Sequence, residues 1–215
     1  MIWCGHRIVV QLVVVVHRRQ TPKVKDGRVQ KKHNWELSAH YSQVPGLGFV
    51  IDRERPGKGY RHLLLQSHVE RFVALLPEWD ELSRGLDAIV LTAGDPGLHG
   101  WCDDGVIGIC AWSRELRQSV DRGYADDHQR VLDQLGVPVH HRAKATELEW
   151  TEGTARAFQL LHVLLHELGH HHDRMTTRSK RDASRGESYA ETYAYEHGDF
   201  IWDRYVAEFG LPIHE

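Results

Sequence analysis

Two histidines four residues apart, with a carboxylate directly after the first, stand in the segment His166-Glu167-Leu168-Gly169-His170. On a helix, residues at this spacing share one face, with Cβ atoms about 5–6 Å apart. Two imidazoles placed so can converge on one ion at Zn–N distances of about 2.0–2.1 Å. Glu167 lies about 100° around the helix from His166. It can flank the ion without filling a coordination position, and so remain free to take a proton from water. Zinc polarises a carbonyl and lowers the pKa of bound water towards about 7. A carboxylate that is not a ligand can then carry the proton to a leaving amine. The segment therefore predicts zinc-assisted hydrolysis of peptide bonds, with His166 and His170 as metal ligands and Glu167 as general base.

The rival explanation is chance. The chain has 17 histidines, which makes short His patterns common, and an amphipathic helix can carry histidines on its wet side. The local context favours a site. Leu160, Leu161, Val163, Leu164 and Leu165 precede the motif, as a core helix requires. Gly169 is expected to give clearance beside the metal.

The elements that must hold these residues follow from pattern and punctuation. Helices are expected over 61–76, stopped by Pro77, over about 152–173, and over about 187–209, stopped by Gly210 and Pro212. Strands are expected at 49–51, 86–92, 106–112 and 147–150. The stretch 114–135 reads as mostly helical with a break near Gly123. The fold class is α+β: a small mixed sheet packed on the metal-binding helix, followed by a C-terminal helix.

The motif helix resembles the active-site helix of zincin metallopeptidases. The resemblance continues more loosely into the next helix, and nothing before about residue 85 shares it. It implies a zincin-like fold, peptide or protein substrates, and three protein ligands with one open position on the zinc. The metzincin continuation HExxHxxGxxH fails, because Asp173 and Thr176 stand where glycine and histidine are needed. The gluzincin branch takes a glutamate from a later helix, followed four residues on by an acid that supports a zinc-binding histidine. In Gly186-Glu187-Ser188-Tyr189-Ala190-Glu191 this implies Glu187 as third ligand and Glu191 as the group that orients His166. One alternative stays open. Ser184-Arg185-Gly186-Glu187 fits a capping box, with Ser184 as N-cap and Glu187 at N3. Glu191 would then be the ligand, with Asp173 and the cysteines behind it.

Further candidates follow. Tyr189, Tyr193 or Tyr195 could donate to an oxyanion. His171 and His172 are expected to face solvent or gate the cleft, and His162 to be a packed histidine. The strand 106–112 could pair with an extended substrate, with Gly105, Gly108 and Ala111 leaving room for its backbone, or it could be an interior strand. Two other functions compete. One is a deformylase-like amidase taking a Cys ligand, but neither Cys102 nor Cys110 sits in a Gly-Cys-Leu context. The other is a metal-stabilised interaction or regulatory module without turnover, which would have no use for Glu167.

Composition frames these readings. The 215 residues are 41% hydrophobic and 27% charged, with formal net charge -3, ordinary for a globular chain and not that of a nucleic-acid binder. The chain divides into an N-terminal strand and basic arm or linker, 1–33, and a metallopeptidase domain, 34–215. The apolar run 8–16 is far shorter than the roughly 20 residues a membrane helix needs, and reads as a strand. The arm 17–33 is strongly basic and is the one hint of nucleic acid; without interleaved aromatics it reads as a solvated linker. Three cysteines, Cys4, Cys102 and Cys110, with no CxxC pair, point to free thiols in a reducing, cytoplasmic setting.

Overall fold

The computed structural model describes residues 24–25, 28–29, 49–177 and 185–212. The apolar run 8–16, Cys4 and most of the basic arm lie outside the described residues. Of the arm, β1 (Val24–Lys25) and β2 (Arg28–Val29) pair antiparallel, Val24 opposite Val29.

Next come β3 (Val50–Arg53), β4 (Tyr60–Arg61), α1 (Gln66–Val73) and α2 (Trp79–Leu82). The central strands are β5 (Ala88–Thr92), β6 (Gly100–Asp103) and β7 (Val106–Cys110). They are followed by β8 (Trp112–Ser113) and β9 (Arg117–Val120), then α3 (Arg122–Asp127) and α4 (Gln129–Gln134). Strands β10 (Val139–His141) and β11 (Thr146–Glu149) lead into α5 (Glu152–Phe158). A π-helical turn, Gln159–Leu164, joins α5 to α6 (Leu165–Thr176), and α7 (Glu187–Phe209) closes the described chain. The architecture is mixed α+β, with small sheets and a long C-terminal helix.

The principal sheet has order β3-β5-β7-β6. The pairs β3–β5 and β5–β7 are parallel, whereas β6 runs antiparallel to β7, with Trp101 opposite Gly108. All residues of β5 and β7 are buried, as strands covered on both faces must be. This decides between the two readings of the segment 106–112. The strand there is interior and stops at Cys110, and among the described strands β3 and β6 are the edges. The room at Gly108 is taken by the Trp101 ring, which a Cβ there would meet at 2.1 Å.

The expectation of helix across 114–135 is corrected. Its first part is β9, which pairs with β11 in the sheet β10-β11-β9. Residues 117–120 alternate between exposed and half-buried, a period-two pattern too short to stand out beside the helix-formers that follow. Helix begins only at Asp121, whose carboxylate accepts from Tyr124 N at 2.7 Å, a side-chain N-cap.

One buried cluster spans the described chain. It joins Leu64, Phe72, Ile89, Ile107, Trp112, Phe158, Leu164, Leu168, Ile201 and Tyr205. The 152–176 helix lies against this core. Thr151 caps it by accepting from Thr154 N, and Gln159 Nε2 donates to Cys110 O at 2.8 Å, pinning the π turn to the end of β7. Such turns occur often at functional sites, and this one directly precedes the histidine pair. Among the described residues no helix is long and apolar enough to cross a membrane.

Candidate metal centre

Helices α6 and α7 pack side by side, and Gly169 sets how closely. A Cβ at Gly169 would come within 2.8 Å of Ala190 Cα and 3.1 Å of Ala190 O. Both are backbone atoms, so neither could yield without moving α7. The glycine thus gives clearance to the neighbouring helix. Its effect on the histidines is to bring the first turns of α7 against them.

A buried carboxylate fixes where α7 starts. Asp173, 1% exposed, accepts from Thr177 Oγ1 at 2.6 Å, Arg185 Nε at 2.9 Å and Gly186 N at 3.2 Å. Burial alone would raise its pKa, but these donors outweigh that and hold it below the usual range. Asp173 therefore ties the end of α6 to the residue before Glu187 and stays out of the histidine cluster. Gly186, at φ 77°, is the N-cap of α7 and Glu187 its first residue. Glu187 therefore stands at N1 rather than at the N3 position of a capping box, and its side chain is turned to the histidines; Ser184 lies outside the described residues.

Three ligand atoms meet there. His170 Nε2 lies 3.1 Å from His166 Nε2, and Glu187 Oε2 lies 3.2 Å from His166 Nε2 and 3.5 Å from His170 Nε2. A tetrahedral ion with bonds of about 2.0–2.1 Å sets its ligand atoms roughly 3.3–3.4 Å apart. The three sides lie around that value, departing from it by roughly 0.1–0.3 Å. The other ring nitrogen of His166, Nδ1, donates to Glu191 Oε2 at 3.1 Å, which orients the ring so that Nε2 faces the triangle. A second grouping, His162, His166 and Glu191, shares His166.

The electrostatics favour a cation at this point. Burial would lower the pKa of His166, but hydrogen bonds to Glu187 and Glu191 override it and raise it to about 9. The hydrogen bonds from His166 and His170 hold the Glu187 carboxyl far below the usual range. Burial would raise Glu191, but His166, His162 and Tyr195 pull it down.

Glu167 belongs to neither grouping. It is 8% exposed, and burial pushes its carboxyl up to about 7 against the pull of His170 and His166. Its space is made by Gly100 on β6, where a Cβ would meet Glu167 Oε1 at 2.9 Å and Val163 Cγ1 at 2.6 Å. The edge strand therefore runs beside the free carboxylate.

The other sequence candidates fall elsewhere. His171 is fully buried and donates to Arg84 O at 3.0 Å. It neither faces solvent nor gates a cleft, because α6 is covered on that face too. His172 pairs with the Tyr189 hydroxyl at 2.7 Å, and Arg185 lies over the Tyr189 ring. Tyr193 stacks on His197, and the Tyr195 hydroxyl donates to Asp127 O at 3.4 Å. Among the described residues, no tyrosine hydroxyl donates to the triangle. His162 is packed as expected, 4% exposed, and burial lowers it to about 3. Cys102 and Cys110 are free thiols, raised by burial, and neither joins a group with the histidine pair.

Four residues around the site escape the sequence reading: His99, Gly100, Tyr124 and His128. With His166 and Glu167 they line one cavity. They come from separate segments with no local spacing, so only the surplus of histidines hinted at them. No family model, curated protein or solved structure matches this chain.

Proposed function

We propose that the chain is a zinc-dependent peptidase with a zincin-like fold, in which His166, His170 and Glu187 hold the metal and Glu167 is the general base. The observation that carries this reading is the triangle of His166 Nε2, His170 Nε2 and Glu187 Oε2 with sides of 3.1, 3.2 and 3.5 Å. Beside it stands a carboxylate that no ligand role uses.

Zinc supplies Lewis acidity towards a carbonyl and acidifies water. The chain's own residues do the rest. Glu191 holds the His166 ring in place and keeps its Nδ1 protonated. Glu167 accepts a proton from the attacking water and returns it to the nitrogen of the leaving amine as the C–N bond breaks. Its burial limits competition from bulk solvent for that proton. Among the described strands β6 pairs with β7 alone, and as an outer strand of that sheet it is where an extended peptide would add, its main chain bonding whatever its sequence. The free thiols fit a reducing compartment, and we place the protein in the cytoplasm.

The test is a pair of measurements on wild type and Glu167→Gln. Both should bind about one zinc per chain, and only wild type should cleave peptides. Equal cleavage by the two removes the general-base role. Zinc binding without turnover in either supports a metal-stabilised module instead.

A further inference from the structure

A cavity of about 170 Å³ opens beside the histidine pair, with His166 and Glu167 in its wall. The remaining wall is mostly rings: His99, Tyr124, His128, Phe158 and His162, with Val163 among them. These rings brace one another. His99 stacks on Trp112 at 5.1 Å between centroids, and Tyr124 on His128 at 4.1 Å. His128 and Phe158 each lie 5.0 Å from His162. The cavity is therefore built into the packing rather than left between loose side chains.

Size and charge select its occupant. An engineered apolar cavity of about 150 Å³ binds benzene, so this volume suits one six-membered ring. A methyl group would leave most of the space unfilled. Burial among these rings costs charge its hydration: it brings the wall residue His99 down to about 4, with His128 the second cause. Anions would meet Glu167. A ring guest, by contrast, finds ring edges and faces with which aromatic pairs associate.

Resting on the peptidase reading above, we propose that this cavity receives the uncharged six-membered ring of a phenylalanine or tyrosine side chain adjoining the scissile bond. The assignment names a substrate class, and makes His99, His128 and Val163 specificity-determining residues.

The experiment has two arms. In the first, p-cresol, benzylamine and benzoate are titrated into the full chain, with and without zinc, while side-chain NMR signals of His99 and His128 are followed. Saturable shifts with p-cresol are expected, with at least about 10-fold weaker effects from the charged rings. His128→Ala, which removes a half-exposed ring from the wall, should weaken the response, and Val163→Phe should abolish it by filling the space. In the second arm, zinc-loaded protein is profiled on a peptide library. Phenylalanine and tyrosine should exceed alanine by at least about 10-fold in kcat/KM at one position flanking the cut, the discrimination apolar pockets achieve. Absence of p-cresol shifts at both histidines, or a preference for charged or small residues on both flanks, overturns the proposal. Saturable p-cresol binding in a chain that cleaves no peptide upholds the ring site and removes the peptidase reading alone.

Discussion

Glu187 and Glu191 meet His166 at opposite ring nitrogens, Nε2 at 3.2 Å and Nδ1 at 3.1 Å. That division separates two roles which the sequence left exchangeable. Only Glu187 also reaches His170 Nε2. Glu187→Ala should therefore cost most in zinc affinity. Glu191→Ala should cost about 10–100-fold, as loss of a partner behind a ligand does. Competition with a chromophoric chelator measures both, and a larger loss in Glu191→Ala would reverse the assignment. The Glu187 side chain is 85% exposed, so its removal should leave the metal-free fold nearly unchanged.

The elements convert these residues into a site. Gly169 lets α7 approach α6, and the Asp173 contacts with Thr177, Arg185 and Gly186 start α7 where Glu187 faces the histidines. Gly169→Val forces side-chain atoms against Ala190 backbone. Overpacking of this kind costs about 1–3 kcal/mol, and should appear as a lower urea midpoint for the metal-free chain. Because the displaced element carries Glu187, zinc affinity should fall in the same variant. A stable Gly169→Val protein with wild-type zinc affinity would show that helix separation does not set the site. The motif helix and α7 were legible in sequence, since apolar spacing, Gly210 and Pro212 act locally. Strands β6, β9 and β10 were not, because short, partly polar segments become strands only through their partners.

At the scale of the whole molecule, burial of histidine couples stability to pH. His99 titrates near 6.5 when unfolded and at about 4 in the fold, with burial the first cause and His128 the second. Between these values the unfolded chain binds more protons, so stability rises with pH there. Its contribution is complete above pH 6.5, falls as pH drops towards 4, and is flat below. Urea titrations of metal-free protein at pH 7 and pH 5 should show the loss, and His99→Gln should reduce the difference. An unchanged difference in that variant would remove His99 as its source.

The sequence by itself determined the chemistry available: two imidazoles and a free carboxylate on one helical turn, and two acids four residues apart on the next helix. Helix geometry is local, so spacing alone aligns such groups. Tertiary structure decided what spacing could not express. It put Glu187 at the first position of α7 and against His166 and His170, because Asp173 and Gly186 define the start of that helix. It made β6 an outer strand of the described sheet, since strand order depends on pairings between distant segments. It gathered His99, Tyr124 and His128 around a ring-sized cavity beside Glu167, because packing across the core, unlike helical periodicity, leaves no mark on neighbouring residues.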